Sequence, residues 1–89
     1  MKSIRQSGAF KKDLKRLMRR GYDLSRLDAI VQALQKDKLL PEAARPHPLK
    51  GDWKGYWDCH VAPDWILIYK ITDEEVWLVR TGTHTDLFE

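Results

Sequence analysis

Cysteine is almost missing from this chain. Cys59 stands alone, so no internal disulfide can form, which points to a reducing compartment. It lies in a strand-like run and reads as a small buried hydrophobe. Long apolar runs are missing too. The longest, Trp65–Tyr69, falls far short of the roughly 20 residues that span a bilayer. The opening MKSIRQSGAFKK lacks the apolar centre of a secretion signal. No repeat, linker or low-complexity stretch is visible. These absences predict a cytoplasmic protein with no membrane partner. They also predict a single domain over residues 1–89, with one modest core.

Charge is what the chain has in quantity. At 43% hydrophobic and 33% charged it is a folding composition rather than a disordered one. The net charge of +3 and pI of 9.1 suggest an acidic partner, either nucleic acid or an acidic protein.

Residues 2–7 have the makings of a short strand. Phe10, Leu14, Leu17 and Met18 then recur with helical spacing, with Ser7 as N-cap and Gly21 just past the end. Leu24, Leu27, Ile30, Val31 and Leu34 form a second stripe over residues 23–38, capped by Asp23 and closed before Pro41. Residues 41–55 hold three of the four prolines and read as loop. Three strand-like runs follow, YWDCHV, WILIYKI and VWLVRT, joined by links short enough for hairpins. The fold class is therefore α+β: an N-terminal strand and a helical hairpin packed on one face of an antiparallel sheet. Most of the four tryptophans are expected in the core.

The candidate chemistry lies in the second half. His47 sits between two prolines that fix the backbone beside it. His60 shares strand parity with Asp58 and Tyr56. Asp64 stands in the turn before the central strand, and His84 follows the last strand. A meander topology draws His60, Asp64, Arg80 and His84 toward one end of the sheet. Each has a plainer alternative: a surface histidine, a turn aspartate, a solvated arginine. A zinc site is disfavoured, because no His pair has i,i+4 spacing and no Cys pair exists.

The run KKDLKRLMRR sets Lys11, Lys15 and Arg19 in one row and Lys12, Arg16 and Arg20 in another. It is either a solvated face or a phosphate-contacting face for a large RNA assembly. Trp53 and Trp57 flank the loop of His47 and can stack on bases. Lys50 and Lys54 border Trp53 in that loop, and Lys50, Trp53 and Lys54 are expected to bind substrate.

Three ordered strings carry a family resemblance: HPLKGDWKGY, then DCHVAPDWILIYK, then RTGTHTDLF. They resemble the YafQ branch of the RelE-like bacterial toxins, the toxin halves of type II toxin–antitoxin pairs. The resemblance implies a microbial-RNase type of fold, and an endoribonuclease that cuts message in the ribosomal A site. It implies a cognate antitoxin, the ribosome and mRNA as partners, and operator DNA reached only through the antitoxin. The family's active-site residues fall on His47, His60, Asp64, His84 and Phe88, with its nearby arginine on Arg80. Relatives often carry Arg where this chain has Trp57, so Trp57 stays outside the catalytic set.

Under that resemblance His84 is the principal acid–base residue and Arg80 steadies the charged phosphorane. His47, His60 and Asp64 supply the opposite proton transfer and position the phosphate, and the sequence does not say which is the base. Phe88 packs against or stacks on a nucleotide. Lys11, Lys12, Lys15, Arg16, Arg19 and Arg20 are the expected ribosome contacts. No metal or cofactor is expected. Two other readings remain open: a non-catalytic inhibitor of the ParE kind, and a co-repressor acting through the antitoxin.

Overall fold

Ser3–Gln6 form β1, and Ser7 then turns the chain into helix α1, Gly8–Arg19. The Ser7 hydroxyl caps that helix by accepting from the Phe10 N–H at 2.9 Å. Gly21, with φ of +80°, ends it in the left-handed conformation that glycine takes freely. Asp23 caps α2, Leu24–Gln35, through the Ser25 N–H. The structure is a computed structural model and describes residues 1–88.

After two short 3₁₀ turns around the two-residue strand β2, His47–Pro48, come β3 (Trp57–Ala62), β4 (Trp65–Ile71) and β5 (Glu75–Gly82). A short helix, α3, follows at His84–Phe88. The strands form one sheet in the order β1-β5-β4-β3-β2. Trp65, Leu67 and Tyr69 of β4 face the helices and share a core with Phe10, Leu17, Leu27 and Ile30.

The α+β class and the helical hairpin match the reading of the sequence, but several details differ. The sheet is mixed, because β1 pairs with β5 in parallel. A strand that precedes the hairpin must return from the other side of the chain's path, and a parallel pair allows the long crossover this needs. The proline-rich loop contains a strand: His47 pairs with Asp58 and Pro48 with Trp57. This is an edge position, which proline tolerates. Met18 is 62% exposed, while Asp13 is buried on α1. Helix α2 stops at Gln35, short of residue 38. Of the tryptophans only Trp65 is buried in the core, and Trp57 is among the exposed large hydrophobics. Cys59 is fully buried as expected, and burial pushes its thiol up to about 12.

Two irregularities shape the working end of the sheet. A register shift in β3 lies between His60 and Ala62, and another in β5 falls at Val79, opposite the Ile68–Tyr69 step. Beyond Leu78, β5 has no β1 residue beside it. Helix α1 covers that edge instead: the Ser7 hydroxyl donates to the Val79 carbonyl at 2.7 Å, and the Thr81 N–H donates to Asp13 Oδ2 at 3.1 Å.

Candidate active site

The hairpin between β3 and β4 holds Asp64, and α3 begins two residues after β5, so neighbouring strands deliver their loops to one edge. There Asp64 Oδ1 lies 3.3 Å from His84 Nδ1 and 3.4 Å from the His84 N–H. The ring of His60, from the end of β3, is 6.2 Å from that of His84. Phe88 lies one turn on along α3, its ring 6.0 Å from that of His84. The side chains of His84 and Asp64 are 58% and 71% exposed, so a macromolecule can reach them.

His47 is held separately. Its Nε2 lies 2.8 Å from Asp58 Oδ1, with Asp58 almost wholly buried at the base of the pair. The approach is close but not aligned as a hydrogen bond, which leaves that oxygen without an ordinary donor. Burial raises the Asp58 carboxyl above the usual range, opposed by His47, His60 and His84. The strand register explains the arrangement: His47, Asp58, Ile68 and Arg80 form one cross-strand row, and His60, Ile66 and Gly82 the next.

Arg80 shares that first row, but its guanidinium is turned onto Asp13. Nε donates to Asp13 Oδ2 at 2.7 Å and Nη2 to Oδ1 at 3.1 Å. This fork raises the Arg80 pKa. Asp13 therefore accepts from Arg80 twice and from the Thr81 N–H, and Arg16 Nη1 lies 3.5 Å away.

The turn that carries His84 has its own brace. The Asp86 N–H donates to Thr83 Oγ1 and the Thr83 N–H donates to Asp86 Oδ2, both at 3.1 Å, a reciprocal capping box. Arg20 then clamps Asp86 with Nη1 at 2.8 Å and Nη2 at 3.2 Å. The Arg20 hydrogen bond, with the Thr83 bonds, holds the Asp86 carboxyl well below the usual carboxylate range. Gly82 makes room for it, since a Cβ there would lie 3.0 Å from Asp86 Oδ2.

The expected ribosome face therefore divides. Lys11, Lys12, Lys15 and Arg19 are exposed, whereas Arg16 and Arg20 are committed to Asp13 and Asp86. Asp13 and Asp86 are supporting residues to which the sequence reading gave no role, and Asp58 was named there only for sharing a face with His60. A signal existed for one of them: Thr83-x-x-Asp86 has capping-box spacing.

Lys50 and Lys54 stay exposed, and Trp53 packs edge-on against Tyr56 with centroids 5.6 Å apart. A cavity of about 390 Å³ opens beside His60, with Arg26 and Arg45 in its wall. Among the described residues no group of three or more His, Cys, Asp and Glu side chains is disposed to hold a metal ion. Among the same residues no helix is long and apolar enough to cross a membrane.

The chain is similar to solved and curated proteins along nearly its whole length. It is 47% identical over 88 residues to the mRNA interferase toxin YafQ of Escherichia coli K12, covering 98% of this chain and 96% of that protein. The crystal structure of YafQ from E. coli BL21(DE3) superposes with a TM-score of 0.93 at 44% identity, over 100% of both chains. YafQ in the E. coli DinJ–YafQ toxin–antitoxin complex superposes with a TM-score of 0.91 at 45% identity, over 99% of this chain and 98% of that one. The model of the YafQ family, bacterial toxins of type II toxin–antitoxin systems, matches residues 2–89. With that match added to the fold and to the histidine-lined edge, the chain belongs to the YafQ family of type II toxin–antitoxin toxins.

Proposed function

We propose that the protein is an mRNA interferase, an endoribonuclease that cuts message in the ribosomal A site and so stops translation. The observation that carries this reading is the approach of His60, Asp64 and His84 on an exposed edge beside the Phe88 ring. The activity named for the E. coli relative supports it.

RNA carries its own nucleophile, the 2′-hydroxyl. A base takes the 2′ proton, the 2′ oxygen bonds to phosphorus, and the bond from phosphorus to the 5′ oxygen breaks. An acid protonates that leaving oxygen. The products are a 2′,3′-cyclic phosphate and a 5′-hydroxyl, and no metal is needed for the balance. Imidazole titrates near neutrality and suits both proton transfers. His84 is the principal acid–base group, because Asp64 at 3.3 Å engages Nδ1 and leaves Nε2 to the substrate. His60 serves the opposite transfer. His47, steadied by Asp58, and Asp64 hold the scissile phosphate. Arg80 stabilises the phosphorane with the nitrogen that Asp13 leaves free. Phe88 stacks on a nucleotide, and Lys50, Trp53 and Lys54 hold the flanking message.

A cognate antitoxin neutralises this activity with an acidic segment that folds on binding. The complex of E. coli YafQ with DinJ supports that partner. Any contact with operator DNA runs through the antitoxin. The exposed lysines and Arg19 of α1 meet ribosomal RNA in the cytoplasm.

The deciding measurement is message cleavage on purified programmed ribosomes by His84→Ala, paired with a thermal melt. Cleavage falls by about 10²–10⁴, while stability moves by no more than about 0.5 kcal/mol, as at an ordinary surface site. Wild-type protein keeps cutting in chelator at maintained ribosome integrity. A folded variant that cuts at the wild-type rate overturns the assignment.

A further inference from the structure

The sheet face turned away from the helices carries a row of side chains with no part in the site above. Arg5 of β1, Trp77 of β5 and Lys70 of β4 are direct cross-strand partners. The Arg5 guanidinium lies 5.1 Å from the centre of the Trp77 ring. Lys70 Nζ sits between two rings, 5.3 Å from that of Trp77 and 5.4 Å from that of Tyr56. Tyr56 meets Trp53 in turn. The result is an alternating file, cation then ring, from the outer edge of the sheet to the loop of His47.

The β5 bulge makes this possible. Trp77 and Arg80 are three residues apart, and in a regular strand they would point to opposite faces. The extra residue at Val79 restores both to register with Lys70 and Ile68, two positions on one face of β4. The file thus lies one row below His47–Asp58 and two rows below His60, roughly 14 Å away at about 3.4 Å per residue.

We propose that this file is a second contact for the message strand, a stacking and phosphate-contacting track for nucleotides that flank the cut. Exposed or half-exposed rings beside cations are what single-stranded RNA binding uses, since every base has a face to stack. The positive charge matches a phosphate backbone, and Lys70 sits on rings rather than on a carboxylate. One acid belongs to the row: Glu75 accepts from Trp77 Nε1 at 3.2 Å and pairs with Arg5 at 3.3 Å, so it orders the outer end. The file ends at the loop of His47, whose row adjoins that of His60 on the same face, and so the occupant is the strand being cut. The proposal rests on the endoribonuclease reading.

The test uses Trp77→Leu, Lys70→Gln and Trp77→Phe, each checked by thermal melt. On programmed ribosomes Trp77→Leu raises KM by about 5- to 100-fold, the span of one lost base stack, with kcat unchanged. Trp77→Phe restores most of it. Messages trimmed on one flank of the A-site codon erase the difference between wild type and Trp77→Leu. Binding to ribosomes with an empty A site is the same for both proteins.

Equal KM values for wild type, Trp77→Leu and Lys70→Gln overturn the track. So does a loss of binding to empty ribosomes, which assigns the row to ribosomal RNA. If wild type fails to cut at all, the endoribonuclease reading falls instead. Anisotropy with a single-stranded oligoribonucleotide, 2′-deoxy at the cleaved position, then decides the track alone: weaker binding by Trp77→Leu supports it, and equal binding rejects it.

Discussion

Two charge clusters meet at α3, and they are built in opposite ways. On one side Asp13, Arg16, Arg20, Arg80 and Asp86 satisfy one another in forks and caps. On the other, Asp64 and His84 stand exposed and His60 half-buried, with long, loose contacts. The first cluster spends nearly all its charge inside the molecule, keeping only one nitrogen of Arg80 free, whereas the second keeps its charge for an outside partner. A carboxylate that is already forked and buried has little left to offer a substrate. The contrast thus separates brace from tool among residues of the same types.

The largest effect should come from removing the centre of the brace. Asp13→Ala leaves Arg80 partly buried without its carboxylate and the Thr81 N–H without an acceptor. It should cost about 3–5 kcal/mol, a large share of a small domain's stability. Chemical denaturation measures this. A shift below about 1 kcal/mol would mean that the cluster is not structural. His84→Ala, at the centre of the exposed cluster, should show the reverse pattern of heavy kinetic loss with little change in melting.

Asp86→Ala tests the place where the two clusters touch. It removes the capping box and the Arg20 clamp, so stability should fall by about 0.5–2 kcal/mol. Cleavage should fall about tenfold as His84 and Phe88 lose their support, with kcat changed more than KM. The pH dependence has a definite sign. Asp86 titrates lower in the fold than in the unfolded chain. Its stabilising effect is therefore complete above the ordinary aspartate value of about 3.9 and is lost as pH falls below it. Asp58 is raised, so its burial favours the protonated form and works against the fold as pH rises past the unfolded value. The stability gap between wild type and Asp86→Ala should narrow steadily as pH falls from about 4 toward 2. A constant gap down to pH 2 would show that the clamp is not ionic.

The smallest effect on folding concerns the basic helix. Reversing Lys11, Lys12, Lys15 and Arg19 should leave the melt nearly unchanged while reducing ribosome binding and its salt dependence. Reversing Arg16 and Arg20 should lower stability as well. Equal behaviour of the two groups would mean that Arg16 and Arg20 are as free as the lysines.

The helices were legible in the sequence because their information is local. Leu27, Ile30 and Leu34 recur at helical spacing, and Ser7 and Asp23 are caps within three residues of what they bind. The β3, β4 and β5 hairpins were legible for the same reason. What was hidden depends on distant partners. Nothing near Ser3–Gln6 states that β1 lies parallel to β5. Asp13 looks like a solvated acid in a basic run until Arg80, 67 residues on, is seen to claim it. Pro46 and Pro48 argued for loop around His47, and only the neighbouring strand β3 reveals the ladder there. The four candidate residues of the sheet edge were named from topology, but Arg80 turns to the helix rather than to the histidines.

The parallel pairing of β1 with β5 also sets an order in time. Ser7 bonds to Val79, 72 positions later, so the first strand made must wait for the last strand before either is paired. Contacts of such separation carry a loop-closure cost that slows folding. The edge that bears His84 is completed only after β5 and α3 have been made, and α1 then locks to both. The histidine edge thus depends on the first strand made as well as on the last, although no β1 residue lies in it.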